Sequence, residues 1–347
     1  METTCKGYSL SIFIIAEVGI NHNGSVEIAK KMIDEAKECG VDCVKFQTFK
    51  AEEFISDPNQ TYTYISQDKE VTESMLDMFK RYEFSKDEWQ EIIAYCKEKE
   101  IIFSSTAQNP SDLDFLLSLT KLPFIKVGSD DLTNLGLLKY YASKKIPMII
   151  SAGMSYASEI EDAVSAIKET KNEDITVLHC VSSYPAEAEE VNLKKIPTIR
   201  DAFGVKVGFS DHTIGSAAAV GSVCFGAKVI EKHFTLDTSM AGPDHRFSIN
   251  PSELKKYVDD IRSIKKAIGT SELKPTSKEL EMRKIARRSI VADVKLEIGD
   301  FITSKNVSFK RVQNDDTLTP KELKYILGRE VKNKIEKNYP IKLKDLR

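Results

Sequence analysis

The chain has 347 residues, of which 41% are hydrophobic and 30% charged, a composition typical of a soluble globular protein with one large domain and one small domain. A net charge of −3 argues against nucleic acid as a partner, and the absence of a bilayer-length apolar run argues against a membrane. Residues 286–347 carry 15 Lys and Arg against 9 Asp and Glu, so this segment is at +6 and the remainder at −9.

Short apolar runs alternate with amphipathic stretches through about the first 270 residues. The amphipathic stretches, such as SVEIAKKMIDEAKECG and ASEIEDAVSAIKET, have apolar residues at helical spacing. Eight apolar runs have the length and composition of buried strands. In chain order they are FIIAEVG (13–19), DCVKFQTF (42–49), IIFSSTA (101–107), FIKVGSDD (124–131), PMIISAG (147–153), ITVLHCVS (175–182), VKVGFSD (205–211) and VIEKHFT (229–235).

Eight strands, each followed by a helix, are typical of a (β/α)8 TIM barrel, which usually needs about 250 residues. A doubly wound sheet is the competing α/β architecture, but no GxGxxG motif follows the first strand. We therefore predict a TIM-barrel domain over residues 1–268.

Three segments interrupt or follow this alternation. Residues 50–84, rich in Tyr and charge, form an insertion after the second strand, and in a barrel they would lie at the carboxyl-terminal face over the site. Residues 269–285 are polar and contain Pro, which predicts a linker. Residues 286–347 contain short strand-like runs with turn signals at Gly299 and Asp300, which predict a small, mostly β domain.

Six cysteines are scattered along the chain with neither a CxxC pair nor a zinc-like spacing. Several lie in apolar runs, where cysteine behaves as a small hydrophobic residue. The apolar run at 10–16 is flanked by the acidic residues Glu2 and Glu17, which is unlike a secretion signal. These features predict a cytoplasmic protein with reduced thiols.

Each predicted strand has at least one polar residue near its carboxyl end, where barrel enzymes place their catalytic groups. Strand ends are also polar because they are solvated, and this explanation suffices for Thr106 or Ser151 taken alone. The polar residues at these ends are Glu17, Lys45, Gln47, Thr106, Lys126, Ser129, Ser151, Ser182, Tyr184, Ser210, His212 and His233.

Lys45 and Lys126 differ from the other polar residues because they lie inside apolar runs, CVKFQ and FIKVG. A buried lysine needs an anionic partner or a strongly lowered pKa. Two such lysines near several hydroxyls indicate a pocket for phosphate or carboxylate. A single Schiff-base lysine, as in class I aldolases, is the alternative interpretation.

His212 and His233 end the last two predicted strands, which are neighbours in a barrel. Two imidazoles there are able to hold a divalent metal with open positions for substrate. However, histidines 21 residues apart are not a metal motif, and a lone histidine is more often structural.

In VIEKHFT, strand alternation points Glu231 into the barrel with His233, where it would orient a ligand or pair with an inward lysine. Lys232 should face the helices.

Together these segments resemble the sialic acid synthase family, which condenses phosphoenolpyruvate with an N-acetylated mannosamine-type sugar. The resemblance covers nearly the whole chain. The segment ARRSIVADVKLEIGD with the later SFKR resembles the small antifreeze-like (SAF) domain of the family. The other matching stretches are IIAEVGINHNG, VKFQTFKAE, IKVGSDDLTN, ISAGM, LHCVSSYP, VGFSDHTIG, VIEKHFTLD and GPDH.

The resemblance implies a metal-dependent enzyme that makes N-acetylneuraminate from phosphoenolpyruvate and N-acetylmannosamine and releases phosphate. Relatives that make legionaminic or pseudaminic acid from 2,4-diacetamido-2,4,6-trideoxyhexoses are the alternative. The resemblance also implies a homodimer in which residues 286–347 of one subunit cap the site of the other.

The resemblance further implies a role for each matching residue. Lys45 and Lys126 would hold phosphoenolpyruvate, Glu17 and Asp131 would be the acid/base carboxylates, and Arg311 would reach the N-acetyl group from the partner subunit. The metal, Mn²⁺ or Mg²⁺, would be bound by His212 and His233. Hydroxyl groups that would contact phosphoenolpyruvate belong to Thr106, Ser129, Ser151, Ser182 and Ser210. The sugar would be contacted by Gln47, Tyr184 and Asp244.

Several positions depart from the family pattern. Asp131 stands where the family usually has Glu, Thr106-Ala107-Gln108 replaces TPF, and Ser182 replaces the Asn of some members. The RPG.G loop of the family is Arg311-Val312-Gln313-Asn314 here. These departures leave the amino sugar open. Two further alternatives are a Schiff-base aldolase that uses Lys126 and a non-catalytic carbohydrate-binding protein.

Overall fold

The structure, a computed structural model, describes residues 12–313 and 316–347. The chain divides into two compact units, of which the first ends at Gly269 and the second begins at Thr270. Glu2, one of the six cysteines (Cys5) and Asn314 lie outside the described residues.

Parallel strands form the centre of the first unit. Its strands are β1 (Phe13–Gly19), β2 (Cys43–Thr48), β3 (Thr61–Ser66), β4 (Lys69–Ser74), β5 (Ile102–Ala107), β6 (Ile125–Val127), β7 (Met148–Ser151), β8 (Ile175–Cys180), β9 (Lys206–Asp211) and β10 (Val229–His233). Eight of them close into a barrel in the order β1-β10-β9-β8-β7-β6-β5-β2. Each barrel strand falls within one of the eight predicted runs, so the predicted TIM barrel is confirmed.

Helices connect the barrel strands and cover them. They are α1 (Val26–Cys39), α2 (Ala51–Phe54), α3 (Met75–Lys80), α4 (Lys86–Glu98), α5 (Pro110–Leu119), α6 (Leu135–Ser143), α7 (Ala157–Glu169), α8 (Ala188–Val191), α9 (Lys195–Phe203), α10 (Ala217–Cys224) and α11 (Pro251–Ile268), with a 3₁₀ turn at His245–Phe247. Local sequence accounts for their ends. In α11, for example, Asn250 and Glu253 form a capping box and Pro251 occupies the first turn.

Strand alternation separates two kinds of packing around the barrel wall. Side chains such as Ile14, Ala16 and Ile230 pack against the helices in the main core. A second apolar cluster lies on the opposite faces of the same strands and fills one end of the barrel: Phe13, Ile15, Cys43, Phe124, Ile149, Leu178 and Val229. Two residues further along five of these strands the inward side chains become polar, as Ile15 is followed by Glu17 and Phe124 by Lys126. The barrel is therefore closed by apolar residues at one end and lined by polar residues toward the carboxyl ends.

The predicted insertion after β2 folds as α2, the antiparallel β3–β4 hairpin and α3. Its apolar residues Met78 and Tyr82 form a small core with Ile20 and Phe49, which follow β1 and β2. The hairpin also contacts the loop after β10, where the Ser66 hydroxyl accepts a hydrogen bond from the Gly242 amide at 3.1 Å. The insertion thus lies at the carboxyl-terminal face of the barrel, as predicted.

The second unit is small and contains an antiparallel pair of strands, as expected. Its elements are α12 (Ser277–Ala286), β11 (Arg288–Ala292), β12 (Val307–Arg311) and α13 (Leu323–Ile326), with 3₁₀ turns at Pro320–Glu322 and Leu343–Asp345. Its core is formed by apolar residues that include Ile290, Ile302, Val331 and Ile341. The predicted linker differs from a simple coil because it contains α12, whose start is stabilised by a capping box between Thr276 and Glu279.

Among residues 12–313 and 316–347, none of the helices combines the length and the apolar character required to cross a membrane.

Candidate active site

Four charged side chains meet inside the barrel, and we refer to Glu17, Lys45, Lys126 and Glu231 as the interior charge group. The Lys45 ammonium contacts Glu17 Oε2 closely and lies 3.6 Å from Glu231 Oε2. The Lys126 ammonium lies 3.6 Å from Glu231 Oε1. All four side chains are buried. Of the two expectations for a buried lysine, an anionic partner or a strongly lowered pKa, the structure shows the anionic partner, and Glu231 pairs with both lysines.

Hydroxyl groups on the neighbouring strands complete the contacts of the two lysines. Lys45 Nζ donates a hydrogen bond to Thr106 Oγ1 at 2.9 Å, from β2 to β5. Lys126 Nζ donates to Ser151 Oγ at 2.9 Å, from β6 to β7. Neither hydroxyl is merely a solvated strand end, because both are buried and bonded to an ammonium group.

The two carboxylates are also bonded by predicted site residues. Ser210 Oγ donates to Glu231 Oε1 at 3.1 Å, and Gln47 Nε2 donates to Glu17 Oε1 at 3.4 Å. Glu17 Oε2 and Glu231 Oε2 are buried and have no hydrogen-bond partner among the described residues beyond their ionic contacts with lysine. Leaving a buried polar atom without a partner is unfavourable, and such atoms in native proteins often indicate a functional site.

The interior charge group separates the proton affinities of its two carboxyl groups. Burial, only partly opposed by Lys45, raises the pKa of Glu17 to about 7, and the negative charge of Glu231 adds to the increase. Burial would also raise the pKa of Glu231, but Lys126 and Lys45 together outweigh it and lower the pKa to about 2. For Lys45, the two carboxylates outweigh burial and raise the pKa. Near neutral pH, Glu231 is therefore ionised, whereas Glu17 is able to gain or lose a proton.

Gly19 marks the position where three predicted site residues converge. Its φ is +53°, and a Cβ placed there would lie 3.4 Å from both Glu17 Oε1 and Gln47 Nε2 and 3.7 Å from Asp244 Oδ2. Asp244 therefore lies beside Glu17, although the two residues come from opposite ends of the barrel sequence. Burial raises the pKa of Asp244 to about 6.

Ser129 and Ser182 meet at a second glycine, Gly153, which follows β7. The Gly153 amide donates to Ser129 Oγ at 3.0 Å. A Cβ at Gly153 would lie 2.7 Å from that oxygen and 2.4 Å from Ser182 Oγ, which is too close for any larger residue without movement. The hydroxyl groups of these two serines, both predicted to contact phosphoenolpyruvate, thus lie close together on the barrel rim.

The two predicted metal ligands are also brought together. The imidazole centroids of His212 and His233 are 5.7 Å apart. Tyr184 packs against His212 with centroids 4.1 Å apart, and Phe247 packs against His233 at 5.3 Å. Burial lowers the pKa of both histidines, that of His233 most strongly with a further contribution from His212, so both rings are neutral at physiological pH.

Neutral imidazoles with accessible lone pairs are what a divalent transition metal requires. His212 Nδ1 lies 2.7 Å from the Val181 carbonyl oxygen, to which it donates, and this leaves its Nε2 unprotonated. His233 Nδ1 is buried with no hydrogen-bond partner among the described residues. Over 12–313 and 316–347 there is no group of three or more His, Cys, Asp or Glu residues able to hold a metal. The fit of a metal at this place therefore depends on the two neutral imidazoles alone, with His212 Nε2 unprotonated and His233 Nδ1 without a partner among the described residues.

Asp131 and Arg311 have other surroundings. Asp131 accepts a hydrogen bond from Asn134 Nδ2 at 3.2 Å and, with Gln108 and Tyr140, lines a cavity of about 460 Å³. Neither of these observations connects it with Glu17, and its acid/base role stays a prediction. Arg311 is exposed at the end of β12 in the second unit, and its role stays a prediction as well.

Two residues near the site were missed by sequence reasoning. Ser104 lies opposite Lys45 in the register of β2 and β5, and its buried Oγ has no hydrogen-bond partner among the described residues. Its position two residues before Thr106, on the same face of β5, was the available signal. Phe247, which contacts both His233 and Tyr184, lies in a 3₁₀ turn of only three residues, which is too short for a sequence period to indicate a direction.

Charged groups gathered toward the carboxyl ends of the strands define the site of a (β/α)8-barrel enzyme. The sequence profile of the NeuB family matches residues 32–273, and the profile of the SAF domain matches residues 287–347. The chain therefore belongs to the NeuB family and carries a SAF domain in its second unit.

Relatives of known activity agree with this assignment. The N,N'-diacetyllegionaminic acid synthase of Legionella pneumophila is 37% identical over 93% of this chain and 91% of that protein. The N-acetylneuraminate-9-phosphate synthase of Drosophila melanogaster is 35% identical over 95% of each chain. A crystal structure of the N-acetylneuraminic acid (sialic acid) synthetase from Leptospira borgpetersenii serovar Hardjo-bovis, in complex with citrate, has 33% identity and a TM-score of 0.70, covering 80% of this chain and 92% of that chain. These relatives are sugar-acid synthases, so the chain belongs to a family of enzymes.

Proposed function

We propose that this chain is a nonulosonic acid synthase that condenses phosphoenolpyruvate with N-acetylmannosamine and releases phosphate. The observation that best supports this proposal is the pair of buried lysines, each bonded to a hydroxyl and ion-paired inside the barrel. Phosphoenolpyruvate carries a phosphate and a carboxylate close together, and two ammonium groups with adjacent hydroxyls suit such a dianionic end. The ion pair of Lys126 with Glu231 is long, at 3.6 Å, which leaves this ammonium group able to bind an anion, whereas Lys45 is also held closely by Glu17.

In the proposed reaction, C3 of phosphoenolpyruvate attacks the aldehyde carbon of the open-chain sugar and leaves positive charge at C2. Water then adds to C2, and the tetrahedral intermediate expels phosphate as the C–O bond breaks. Glu17 is suited to accept the proton of that water, because its pKa is about 7. Glu231, which stays ionised, is suited to stabilise the positive charge.

We propose that His212 and His233 hold the divalent cation, Mn²⁺ or Mg²⁺. Support comes from the two neutral rings, the buried Nδ1 of His233 without a partner, and the Val181 carbonyl that fixes the tautomer of His212. When bound, such a cation supplies Lewis-acid polarisation of the sugar aldehyde. Tyr184 packs against His212 and Phe247 against His233, and these contacts would hold the two rings in place for the cation.

The sugar contacts are proposed for Gln47, Asp244 and Tyr184. Gln47 and Asp244 converge at Gly19 beside Glu17, and Tyr184 covers His212. A second candidate function is legionaminic or pseudaminic acid synthesis from a 2,4-diacetamido-2,4,6-trideoxyhexose. It is favoured by the 37% identity to a legionaminic acid synthase and by the substitution of the family RPG.G loop after Arg311.

Phosphate release from phosphoenolpyruvate tests the proposal directly. The assay compares N-acetylmannosamine with the two diacetamido 6-deoxyhexoses, each with Mn²⁺ and with EDTA, and identifies the product by mass. We expect metal-dependent release with one of the three sugars and its loss in Lys126→Met. Lys139→Met, an exposed lysine paired with Glu169, is the matched control and should keep full activity.

Two outcomes would replace the proposal with another function. Sugar binding without phosphate release would favour a non-catalytic carbohydrate-binding protein. Borohydride trapping of pyruvate on Lys126, with activity that persists in EDTA, would favour a Schiff-base aldolase.

We also propose a homodimer in which residues 286–347 of one subunit cap the site of the other, with Arg311 at the N-acetyl group. The family resemblance and the uneven charge of the chain support this arrangement. Mixing two inactive variants, Arg311→Ala and Lys126→Met, tests it, since a hybrid dimer would contain one intact composite site. Recovered turnover in the mixture is expected. A truncated protein without residues 286–347 that retained full activity would contradict the cap.

For the compartment we propose the reducing cytoplasm. All cysteines within the described residues are free thiols, namely Cys39, Cys43, Cys96, Cys180 and Cys224. Burial raises the pKa of Cys43 and Cys96, which keeps these thiols protonated and unreactive. A disulfide bond found by mass spectrometry in protein purified without reductant would argue against this proposal.

A further inference from the structure

Three successive pairs of side chains lie at the ends of β9 and β10, and they alternate in direction. Ser210 lies opposite Glu231 in the strand register and is bonded to it inside the barrel. Asp211 lies opposite Lys232, and this pair faces the helices. His212 and His233 follow and face the site with centroids 5.7 Å apart. The Asp211–Lys232 pair is therefore directly adjacent, in both strands, to the two histidines.

Asp211, Lys232, Thr213 and Tyr257 form a closed polar group behind the barrel wall, which we call the outer brace. Lys232 Nζ lies 3.3 Å from Asp211 Oδ2, and the Tyr257 hydroxyl from α11 donates to the same oxygen at 2.8 Å. The exposed fractions of the Lys232 and Asp211 side chains are 1% and 0%. Within 12–313 and 316–347, no polar side-chain atom of the outer brace lacks a hydrogen-bond partner.

The outer brace also closes the turn that contains His212. Asp211 Oδ1 accepts hydrogen bonds from the Thr213 amide at 2.9 Å and from the Thr213 hydroxyl at 2.7 Å. Lys232 Nζ donates to the Thr213 carbonyl oxygen. The residues on both sides of His212 are thus bonded, and one of the bonds comes from the residue immediately before His233.

Stability alone does not require this arrangement. A buried ion pair is often no more stabilising than apolar residues of similar volume, because both charges lose their hydration. The ion pair and its hydrogen bonds instead fix the orientation of the residues they join, because each donor or acceptor holds one particular atom in place. Groups that hydrogen-bond directly to metal ligands commonly change metal affinity about 10–100-fold when they are replaced, and the outer brace acts one step further away, on the residues on either side of His212.

We propose that Asp211, Lys232 and Tyr257 are positioning residues that set the separation and orientation of His212 and His233. The inference rests on the proposed function only where it assigns those histidines to a metal. The geometrical part concerns the rings themselves and does not depend on the metal.

The first test is a titration of the metal-free full-length protein with Mn²⁺ alone, followed by the electron paramagnetic resonance signal of free Mn²⁺. Lys232→Met and Asp211→Asn are expected to weaken Mn²⁺ binding about 10-fold or more. Lys255→Met, which removes an exposed ion pair with Asp259 on the same helix as Tyr257, is the control and should bind like the parent. Affinity equal to the parent in both brace variants would overturn the proposal.

The second test follows the imidazole ¹⁵N resonances of the metal-free protein. Lys232→Met should move the resonances of His212 and His233 and leave that of His179, which is bonded to the Val191 carbonyl, unchanged. Unmoved His212 and His233 resonances would overturn the proposal whether or not the parent binds Mn²⁺. If the parent binds no Mn²⁺ but the two resonances move, the metal assignment fails and the positioning role stands.

A third comparison separates positioning from folding. Tyr257→Phe removes a single hydrogen bond to Asp211 Oδ2 and keeps the packing of the ring, so it should fold and weaken Mn²⁺ binding a few-fold. The double variant Asp211→Leu, Lys232→Met removes the charges as a pair and should recover much of the thermal stability that either single variant loses. Its Mn²⁺ affinity should stay low. A double variant with parental affinity would overturn the proposal.

Discussion

The interior charge group and the outer brace lie on opposite faces of the same barrel wall, and both bury lysines with carboxylates. They differ in how completely their polar atoms are bonded. In the interior charge group, Glu17 Oε2 is in close contact with Lys45 alone, Glu231 Oε2 has no hydrogen-bond partner among the described residues, and the ion pairs of Glu231 with both lysines are 3.6 Å long. In the outer brace, Asp211 accepts hydrogen bonds from Tyr257 and Thr213 and contacts Lys232.

This difference separates a binding site from a structural polar cluster. A fully bonded buried network makes the surrounding structure rigid, whereas a partly bonded one keeps an unfavourable free energy that a ligand is able to relieve. Burial alone therefore does not distinguish the two groups, since all their charged side chains are buried. The number of partners that each charged atom finds does distinguish them.

The largest expected effect is in the interior charge group. Lys126→Met should lower kcat/KM for phosphate release by about 10³-fold or more, because the proposed function assigns Lys126 one of the two positive charges that bind the phosphoenolpyruvate anion. Its free energy of unfolding should change little, since Glu231 keeps its contacts with Lys45 and Ser210. Steady-state kinetics and urea unfolding of the same preparation measure both quantities. A variant that lost its stability together with its activity would contradict the contrast with the outer brace.

In the outer brace we expect the main effect of removing the lysine to be on stability. Lys232→Met leaves the Asp211 carboxylate buried without its counter-charge, and we expect the free energy of unfolding to fall by about 3–5 kcal/mol. Urea denaturation of the metal-free protein measures this loss. Lys255→Met is the matched control, because its ion pair is exposed and should contribute less than about 0.5 kcal/mol. A loss as small as that of the control would show that the outer brace is solvated.

The pH dependence of Glu17 gives a third comparison. Its folded-state pKa of about 7 lies above the ordinary value of 4.5, so the folded protein retains a proton that the unfolded chain has released. The contribution of Glu17 to the free energy of unfolding therefore falls as the pH rises from 4.5 to 7 and is level above that range. Glu17→Gln has no carboxyl group to titrate, so it lacks this dependence. By pH 7 its free energy of unfolding should exceed that of the parent by about 3 kcal/mol.

Urea unfolding at several pH values measures the gain of Glu17→Gln. The low pKa of Glu231, about 2, affects stability only below pH 4.5, so it does not interfere. The same variant should also lose the rise of kcat/KM near pH 7 that a general base produces. A stability difference that is independent of pH would argue that Glu17 is ionised throughout.

The smallest expected effect is at the glycine where site residues converge. Gly19 has a φ of +53°, and Gly19→Ala should cost about 1–2 kcal/mol because a Cβ disfavours left-handed backbone. Gly204, with a φ of +62° and no atom within 4 Å of its would-be Cβ, is the matched control. Both alanine variants should lose similar stability, but only Gly19→Ala should lower activity, because its Cβ meets Glu17 and Gln47. Equal activities would show that Gly19 serves the backbone alone.

Short sequence patterns, such as apolar runs and strand alternation, determined much of the architecture. The run FIIAEVG predicted β1 at its observed bounds, Phe13–Gly19, because a strand buried on both faces is continuously apolar. Alternation within VIEKHFT correctly assigned Glu231 to the barrel interior and Lys232 to the helix side. The need of Lys45 and Lys126 for anions followed from the free energy of burying an unpaired charge. None of these inferences required a distant residue.

The partners of these residues were decided only by closure of the barrel. In the strand register Lys45 lies opposite Ser104 and Lys126 opposite Ile149, and each ammonium group is bonded to the hydroxyl two residues further along the neighbouring strand, that of Thr106 or Ser151. Asp244 reaches Glu17 through the loop after β10, and Tyr257 reaches Asp211 through α11. A strand repeats its direction every two residues, so the sequence determines which way a side chain points. Which atom it meets there depends on chain segments more than 20 residues away, and only the folded arrangement of those segments decides it.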